Sequence, residues 1–467
     1  MSHFFIVSLV TLFFLCFLEK RFANETTWEE RYHLVSISSL LPSSSCSFTK
    51  GPKRKASLDV VPKHGPCSQL NNNGKASILP THSDILSLDK ERVNYIHSKL
   101  SSDNLPAIYG NLIGTGNYFV VVGLGTPKRN LSLVFDTGSD LTWTQCQPCA
   151  RPCYTQQDEI FDPSKSTSYC NISCTSSDCT QLISSTGMDP PTCYPLTKAC
   201  KYGMVYGDGS FSEGYFSRER LTVTPTDAID GFFLGCGENN QGLFGMSAGI
   251  LGLGRHPISF VQQTAKKYNK IFSYCLPSTS SVVGHLTFGA TDNYKVANNT
   301  VKYTPLSTIS RSNSFYGLDI VGISIAKTKL SISSSIFSSG GAIIDSGTVI
   351  TRLPPSTYAS LRNAFRKEMA KYPAASGFSI LDTCYDLRGR NNVVVPKISF
   401  VFGGGVTVEL GAHGVLFTVS SRQVCLAFAA NRDDSDITIF GNVQQRTLEV
   451  VYDVGGGKIG FGPNGCK

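Results

Sequence analysis

The chain opens on an almost wholly apolar stretch, Phe4 to Leu18, followed by Glu19, Lys20 and Arg21. That is short of the ~20 residues a membrane-spanning helix needs, but it matches the core of a signal peptide cleaved near Ala23. The n-region lacks Lys and Arg, and import into a plastid is the alternative; Glu29 and Glu30 speak against an acid-poor transit peptide. The next stretch, to about Leu105, reads as polar loops with an Asn71-Asn72-Asn73-Gly74 turn, then one amphipathic helix. Ser83 to Leu100 places Leu86, Val93, Ile96 and Leu100 on one face, with Asp89, Lys90, Glu91 and Arg92 expected to face out. A lone helix cannot bury its own stripe, so it is expected to pack on the downstream part of the chain, as a prosegment does.

From Asn117 the texture changes to short apolar runs: Tyr118 to Leu124, Leu131 to Phe135, Phe232 to Leu234, Phe315 to Ile325, Ala342 to Ile344, Val393 to Val395 and Leu448 to Tyr452. Each is bounded by Gly, Pro, Asn or Asp, the rhythm of a multi-stranded β protein. A helix is expected over Ser356 to Lys371, with Tyr358, Leu361, Phe365 and Met369 on one side and Pro373 beyond its end. The 43 Gly and 22 Pro make turns frequent, which favours an all-β architecture.

An internal repeat carries the chemistry. Leu133-Val134-Phe135-Asp136-Thr137-Gly138-Ser139 is echoed by Ala342-Ile343-Ile344-Asp345-Ser346-Gly347-Thr348, and downstream Gly249-Ile250-Leu251-Gly252 is echoed by Thr438-Ile439-Phe440-Gly441. Each first motif describes a buried strand that ends in a carboxylate, a hydroxyl and a tight turn, and a lone buried Asp would be unfavourable. Two such loops meeting at a two-fold axis bring both carboxylates to one water. Carboxylates about 3 Å apart cannot both ionise, so one proton is shared. One Asp can then take the water's proton while the other protonates the carbonyl oxygen. The proton belongs to the pair, not to Asp136 or Asp345 by itself. No metal and no cofactor is called for.

On these motifs the sequence resembles the pepsin-like aspartic proteases, and among them the plant nepenthesin-type branch, over about Asn117 to Cys466. The resemblance implies a bilobal double β-barrel with a cleft between lobes, cleavage of protein or peptide substrates at acid pH, and a monomer. It casts Asp136 and Asp345 as catalytic, supported by Thr137, Gly138, Ser139, Ser346, Gly347 and Thr348. Tyr206 and Gly207, in Tyr206-Gly207-Asp208-Gly209-Ser210, resemble the flap that closes over substrate, and Trp143 the indole that hydrogen-bonds the flap tyrosine. Its implied boundaries are a signal peptide at 1–23, a prosegment at 24–107, an N-terminal lobe with a Cys-rich insertion at 108–300 and a C-terminal lobe at 301–467. Leu58 to Cys67 and Ile96 to Leu100 are similar to the subgroup that contains the tobacco chloroplast-nucleoid DNA-binding protease.

Sixteen Cys, thirteen of them from Cys146 onward, suit an oxidising compartment. Zinc is the rival, since Cys146-Gln147-Pro148-Cys149 has ligand spacing, but no second such pair and no HxxxH accompanies it. By the resemblance the disulfides are Cys146–Cys149, Cys153–Cys236, Cys174–Cys200, Cys179–Cys193, Cys275–Cys466 and Cys384–Cys425. Cys170 is left over, to stay free or to pair with a prosegment Cys or another molecule. Sequons at Asn24, Asn130, Asn171 and Asn298 fit export as a glycoprotein to the extracellular space or apoplast. The net charge is +8, but without the first 107 residues it is +5 and scattered; the densest basic cluster, Lys50 to Lys55, lies outside the catalytic region, so nucleic acid is not an expected partner, and no later segment could span a membrane. Two alternatives remain: a non-catalytic inhibitor-like binder on the same fold, whose known examples lose an active-site Asp, and a plastid protease that also binds DNA.

Overall fold

The computed structural model describes residues 28–48, 56–71, 81–101, 118–186, 193–206, 210–242, 244–289, 295–296, 299–308, 312–333 and 335–466. The expected signal peptide, Asn24, Gly207 and Asn298 lie outside them.

Strands dominate, and Tyr118–Leu124 and Ala342–Ile344 begin and end where the apolar runs do. The run from Phe315 is broken into Tyr316–Leu318 and Ile320–Ile325, which join different sheets. The late helix is Pro355–Glu368, with Tyr358, Leu361 and Phe365 buried as their spacing requires.

The internal repeat becomes a repeated arrangement. Arg129–Asp136 runs antiparallel to Tyr118–Leu124 and parallel to Gly249–Gly252, which in turn lies antiparallel to Trp143–Gln145. In the second half Ala342–Ile344 runs antiparallel to Tyr316–Leu318 and parallel to Thr438–Phe440, which meets Thr351–Leu353 antiparallel. Strands paired in parallel and covered on both faces read as unbroken apolar runs, and Leu131 to Asp136 are all buried. The Gly that ends each downstream motif is a steric requirement. A β-carbon at Gly252 would strike the Asp140 carbonyl, and one at Gly441 the Val349 carbonyl.

The halves share a platform of strands in the order Lys302–Pro305, Lys458–Gly462, Glu449–Asp453, Ile271–Cys275, Val282–Phe288 and Ser57–Pro62. Phe272 stacks on Tyr452 across it, with ring centroids 4.4 Å apart.

The region before residue 105 is more than loops and a helix. Tyr32–Ser36 pairs with Asn392–Pro396, and Ser57–Pro62 is built into the platform between Val282–Phe288 and Tyr118–Leu124. The signal for the second strand was a short alternation, Leu58, Val60 and Pro62 buried with Asp59 exposed. A further helix, Ser177–Thr186, appears in the Cys-rich stretch and buries Cys179 and Leu182.

Seven disulfides form among the described residues. Cys275–Cys466 and Cys384–Cys425 are two of the expected pairs. Four expected pairs are corrected. In place of Cys146–Cys149 and Cys153–Cys236 the structure has Cys146–Cys236 and Cys149–Cys153. The cause is strand pairing: Trp143–Gln145 runs parallel to Asp227–Gln241, and the Cys146 N–H donates to the Gly237 carbonyl at 2.8 Å, so Cys236 is its neighbour. In place of Cys174–Cys200 and Cys179–Cys193 it has Cys174–Cys193 and Cys179–Cys200. Depth sorts these four, since Cys179 and Cys200 are buried while Cys174 is half-buried and Cys193 exposed. Cys46–Cys67 adds an unexpected bridge before the helix, and Cys170 is free and exposed.

Candidate active site

Asp136 and Asp345 stand at the ends of the two repeated strands, each almost fully buried. The loops that carry them are tied together reciprocally: the Thr137 N–H donates to Ser346 Oγ at 3.1 Å, and the Ser346 N–H donates to Thr137 Oγ1 at 2.9 Å. Each carboxylate accepts the N–H two residues on, from Gly138 and from Gly347, both at 3.0 Å. The halves then differ. Thr348 Oγ1 donates to Asp345 Oδ2 at 2.6 Å, whereas the buried Ser139 hydroxyl makes no hydrogen bond among the described residues.

The group that joins the two carboxylates is Arg92. Its Nη2 donates to Asp136 Oδ1 at 2.8 Å and to Asp345 Oδ1 at 2.9 Å, and its Nε to Asp345 Oδ2 at 2.9 Å. The guanidinium fits because the facing residues are Gly138 and Gly347, where a β-carbon would collide with it. Burial works against the Arg92 charge, but the two carboxylates hold its pKa above the ordinary value. Burial pushes the Asp136 carboxyl up, and the neighbouring Asp345 charge adds to that, outweighing Arg92. Burial also acts on Asp345, yet Arg92, Thr348 and the Gly347 N–H together hold it below its usual value. The asymmetry lies in the hydrogen bonds: Asp345 accepts from Arg92 Nε and Nη2, Thr348 and the Gly347 N–H, and Asp136 from Arg92 Nη2 and the Gly138 N–H, while the proton remains a property of the pair.

Arg92 belongs to the helix His82–Ser101, which lies in the space before the dyad. Leu86 packs with Val349, Ile350 and Phe417, and Val93, Ile96 and Leu100 pack with Phe315, Ile343 and Ile439. Asp89 and Arg92 were expected to face out; the structure corrects both. Asp89 is wholly buried, accepting the Val349 N–H at 2.5 Å, the Ile350 N–H at 3.2 Å and Arg352 Nη2 at 2.8 Å. The signal was present in the spacing. Asp89 lies three residues after Leu86 and four before Val93, and Arg92 four before Ile96, so both sit on the apolar stripe. Their charge argued for water, but partners of opposite charge receive them.

Tyr206 closes the hairpin formed by Lys201–Val205 and Phe211–Thr224, with its N–H on the Ser210 carbonyl. Trp143 Nε1 donates to the Tyr206 hydroxyl at 2.5 Å, and Phe244 meets Trp143 edge-on with ring centroids 4.7 Å apart. Asn130 and Asn171 are exposed, as a glycan acceptor must be. Among the described residues no group of three or more His, Cys, Asp or Glu could hold a metal ion. Cys146 and Cys149, the zinc candidates, are each spent in a disulfide.

Two family models match the chain, one described as xylanase inhibitor N-terminal over residues 118–290 and one as xylanase inhibitor C-terminal over residues 315–463. The chain is similar to an aspartyl protease family protein of Arabidopsis thaliana, 57% identical over 93% of each chain. It is similar also to aspartic proteinase nepenthesin-2 of Nepenthes gracilis, 35% identical over 76% of this chain and 78% of that one. Among solved structures, edgp covers 77% of this chain and 96% of its own at a TM-score of 0.59, with 18% identity, a likeness of fold.

Proposed function

The chain belongs to the plant family of pepsin-like aspartic proteases, and from that premise we propose that it is the precursor of a secreted aspartic endopeptidase, held inactive by its own helix. The observation that carries the reading is the bridge from Arg92 to both Asp136 and Asp345. A paired-carboxylate site of this symmetry activates a water in acid, and Arg92 occupies the place where water and a peptide carbonyl would meet. An inhibitor-like binder, the name carried by the family models, has no need of two aspartates so aligned or of a cation to neutralise them.

Once Arg92 withdraws, the two carboxyls share one proton. The ionised member takes a proton from the water, which attacks the peptide carbonyl. The protonated member gives its proton to the carbonyl oxygen, and no covalent intermediate is needed. Tyr206, held by Trp143, closes over the substrate strand and excludes solvent. In this reading residues 24–107 are the prosegment, 108–300 and 301–467 the lobes, and 1–23 a signal peptide. The seven disulfides support passage through an oxidising compartment.

The test is cleavage of a peptide library by acid-treated precursor, with and without a pepstatin-type inhibitor. Asp136→Asn and Asp345→Asn are each expected to lower kcat by at least ~10³-fold at unchanged far-UV circular dichroism, and the double variant to be little worse, because the pair acts as a unit. Proteolysis that persists in purified Asp345→Asn, or that yields to a chelator in place of pepstatin, overturns the reading.

A further inference from the structure

We propose that Arg352, with the backbone N–H groups of Val349 and Ile350, forms a carboxylate-binding subsite that makes the activated enzyme prefer substrates carrying Asp or Glu within about three residues of the cleaved bond. The inference rests on the reading of the helix as a removable block in an aspartic endopeptidase. In the structure Asp89 fills this subsite. Three donors converge on its one carboxylate, the Val349 N–H on Oδ1 and the Ile350 N–H and Arg352 Nη2 on Oδ2. The side chains of Asp89 and Arg352 are 0% and 4% exposed.

The donors do not depend on the helix for their position. Arg352 lies in the strand Thr351–Leu353, opposite Ile439, and its Nη1 donates to the Ile350 carbonyl at 2.8 Å. Val349 follows Asp345 by four residues in the same segment. When the helix leaves, the acceptor goes and the donors stay, aimed into the vacated groove. A guanidinium and two N–H groups so placed are unfavourable without a partner. A substrate carboxylate restores the three hydrogen bonds, whereas an amide offers no charge and a basic side chain opposes Arg352. The reach is set by the helix. Asp89 and Arg92 are three residues apart, about 4.5 Å along the axis, and an extended substrate advances ~3.3 Å per residue.

The experiment uses full-length precursor activated in acid and pairs of fluorogenic peptides that differ only by Glu or Gln at each of the three positions on either side of the scissile bond. Assays at pH 5 keep an ordinary Glu, of pKa about 4.3, mostly ionised. At one position the Glu peptide is expected to show kcat/KM roughly tenfold higher than its Gln partner, and in Arg352→Gln that ratio is expected to fall to about one. A measurement independent of how the variant folds uses a synthetic peptide spanning residues 82–101 as inhibitor of the activated wild type. Asp89→Asn in that peptide is expected to weaken inhibition roughly tenfold. Equal kcat/KM for every pair, or a Glu preference that survives in Arg352→Gln, overturns the subsite and leaves the protease standing. Cleavage by Asp345→Asn as fast as by wild type instead overturns the protease reading, and the subsite falls with it.

Discussion

Tyr206 and Trp143 show how much a single contact decides. Apart, one is a turn residue and the other a core residue. Joined by the indole N–H on the phenol oxygen, they fix the described end of the hairpin. Under the proposed function Tyr206 closes over substrate, so for Tyr206→Ala kcat/KM is expected to fall by about 10²-fold, the scale of a misplaced reacting group. Tyr206→Phe keeps the ring and loses one hydrogen bond, about 1 kcal/mol, so its loss should be roughly fivefold. Steady-state kinetics beside thermal unfolding separates the two, and a kcat/KM for Tyr206→Ala equal to that of wild type would return Tyr206 to the rank of an ordinary turn residue. Asp89 and Arg92 make the complementary point. Their register on the stripe was legible, but the partners that compensate their charge come from residues more than 40 and more than 250 positions away, and no local pattern reports those.

The helix His82–Ser101 is the element through which acid would act. The Asp345 carboxyl is held below its ordinary value of 3.8 while Arg92 is docked. A carboxyl whose pKa is depressed in the docked state stabilises docking above its free value, and that contribution is lost as pH falls through the depressed value. At Asp89 burial works against the charge and raises the carboxyl despite Arg352, so the depression that makes a contact acid-sensitive is found at Asp345 and not there. The contact that opens in acid is therefore Arg92 with Asp345. Precursor carrying Asp136→Asn, which cannot cleave itself, is expected to resist added trypsin at Lys90 and Arg92 near pH 6. The helix should be released below about pH 4, read as loss of the helix's contribution to circular dichroism. Arg92→Gln strips the dyad of its counter-charge, weakening docking by about 3 kcal/mol, and should shift release to higher pH. Release at the same pH in both would show that the trigger lies elsewhere.

At the scale of the molecule the two halves are locked at the platform, where Cys275 is bonded to Cys466 across 191 residues of chain. In the chain-entropy description a loop of that length is worth about 5 kcal/mol. Cys275→Ser is expected to lower Tm by about ten degrees or more, against little change for Cys170→Ser, since Cys170 is exposed and unbonded. Non-reducing peptide mapping should find the seven bridges, with Cys170 alone of the described cysteines alkylated without reductant. Recovery of Cys146 joined to Cys149 would contradict the parallel pairing of Trp143–Gln145 with Asp227–Gln241.

What the sequence determined by itself is what depends on short-range pattern and on repetition. Apolar runs punctuated by Gly and Pro specify strands such as Tyr118–Leu124, and the duplicated Asp-Thr/Ser-Gly motif specifies two equivalent loops, because a buried carboxylate needs a partner and a repeat supplies one. Only the tertiary structure decided which cysteine meets which. Cys146, Cys149, Cys153 and Cys236 allow three pairings on paper, and the choice is made by which strands lie side by side. It also decided that residues 57–62 join the central sheet and that Asp89 and Arg92 turn inward. A charged side chain is stable in the interior only when its counter-charge is already there, and that is a property of two distant segments brought together, not of either one.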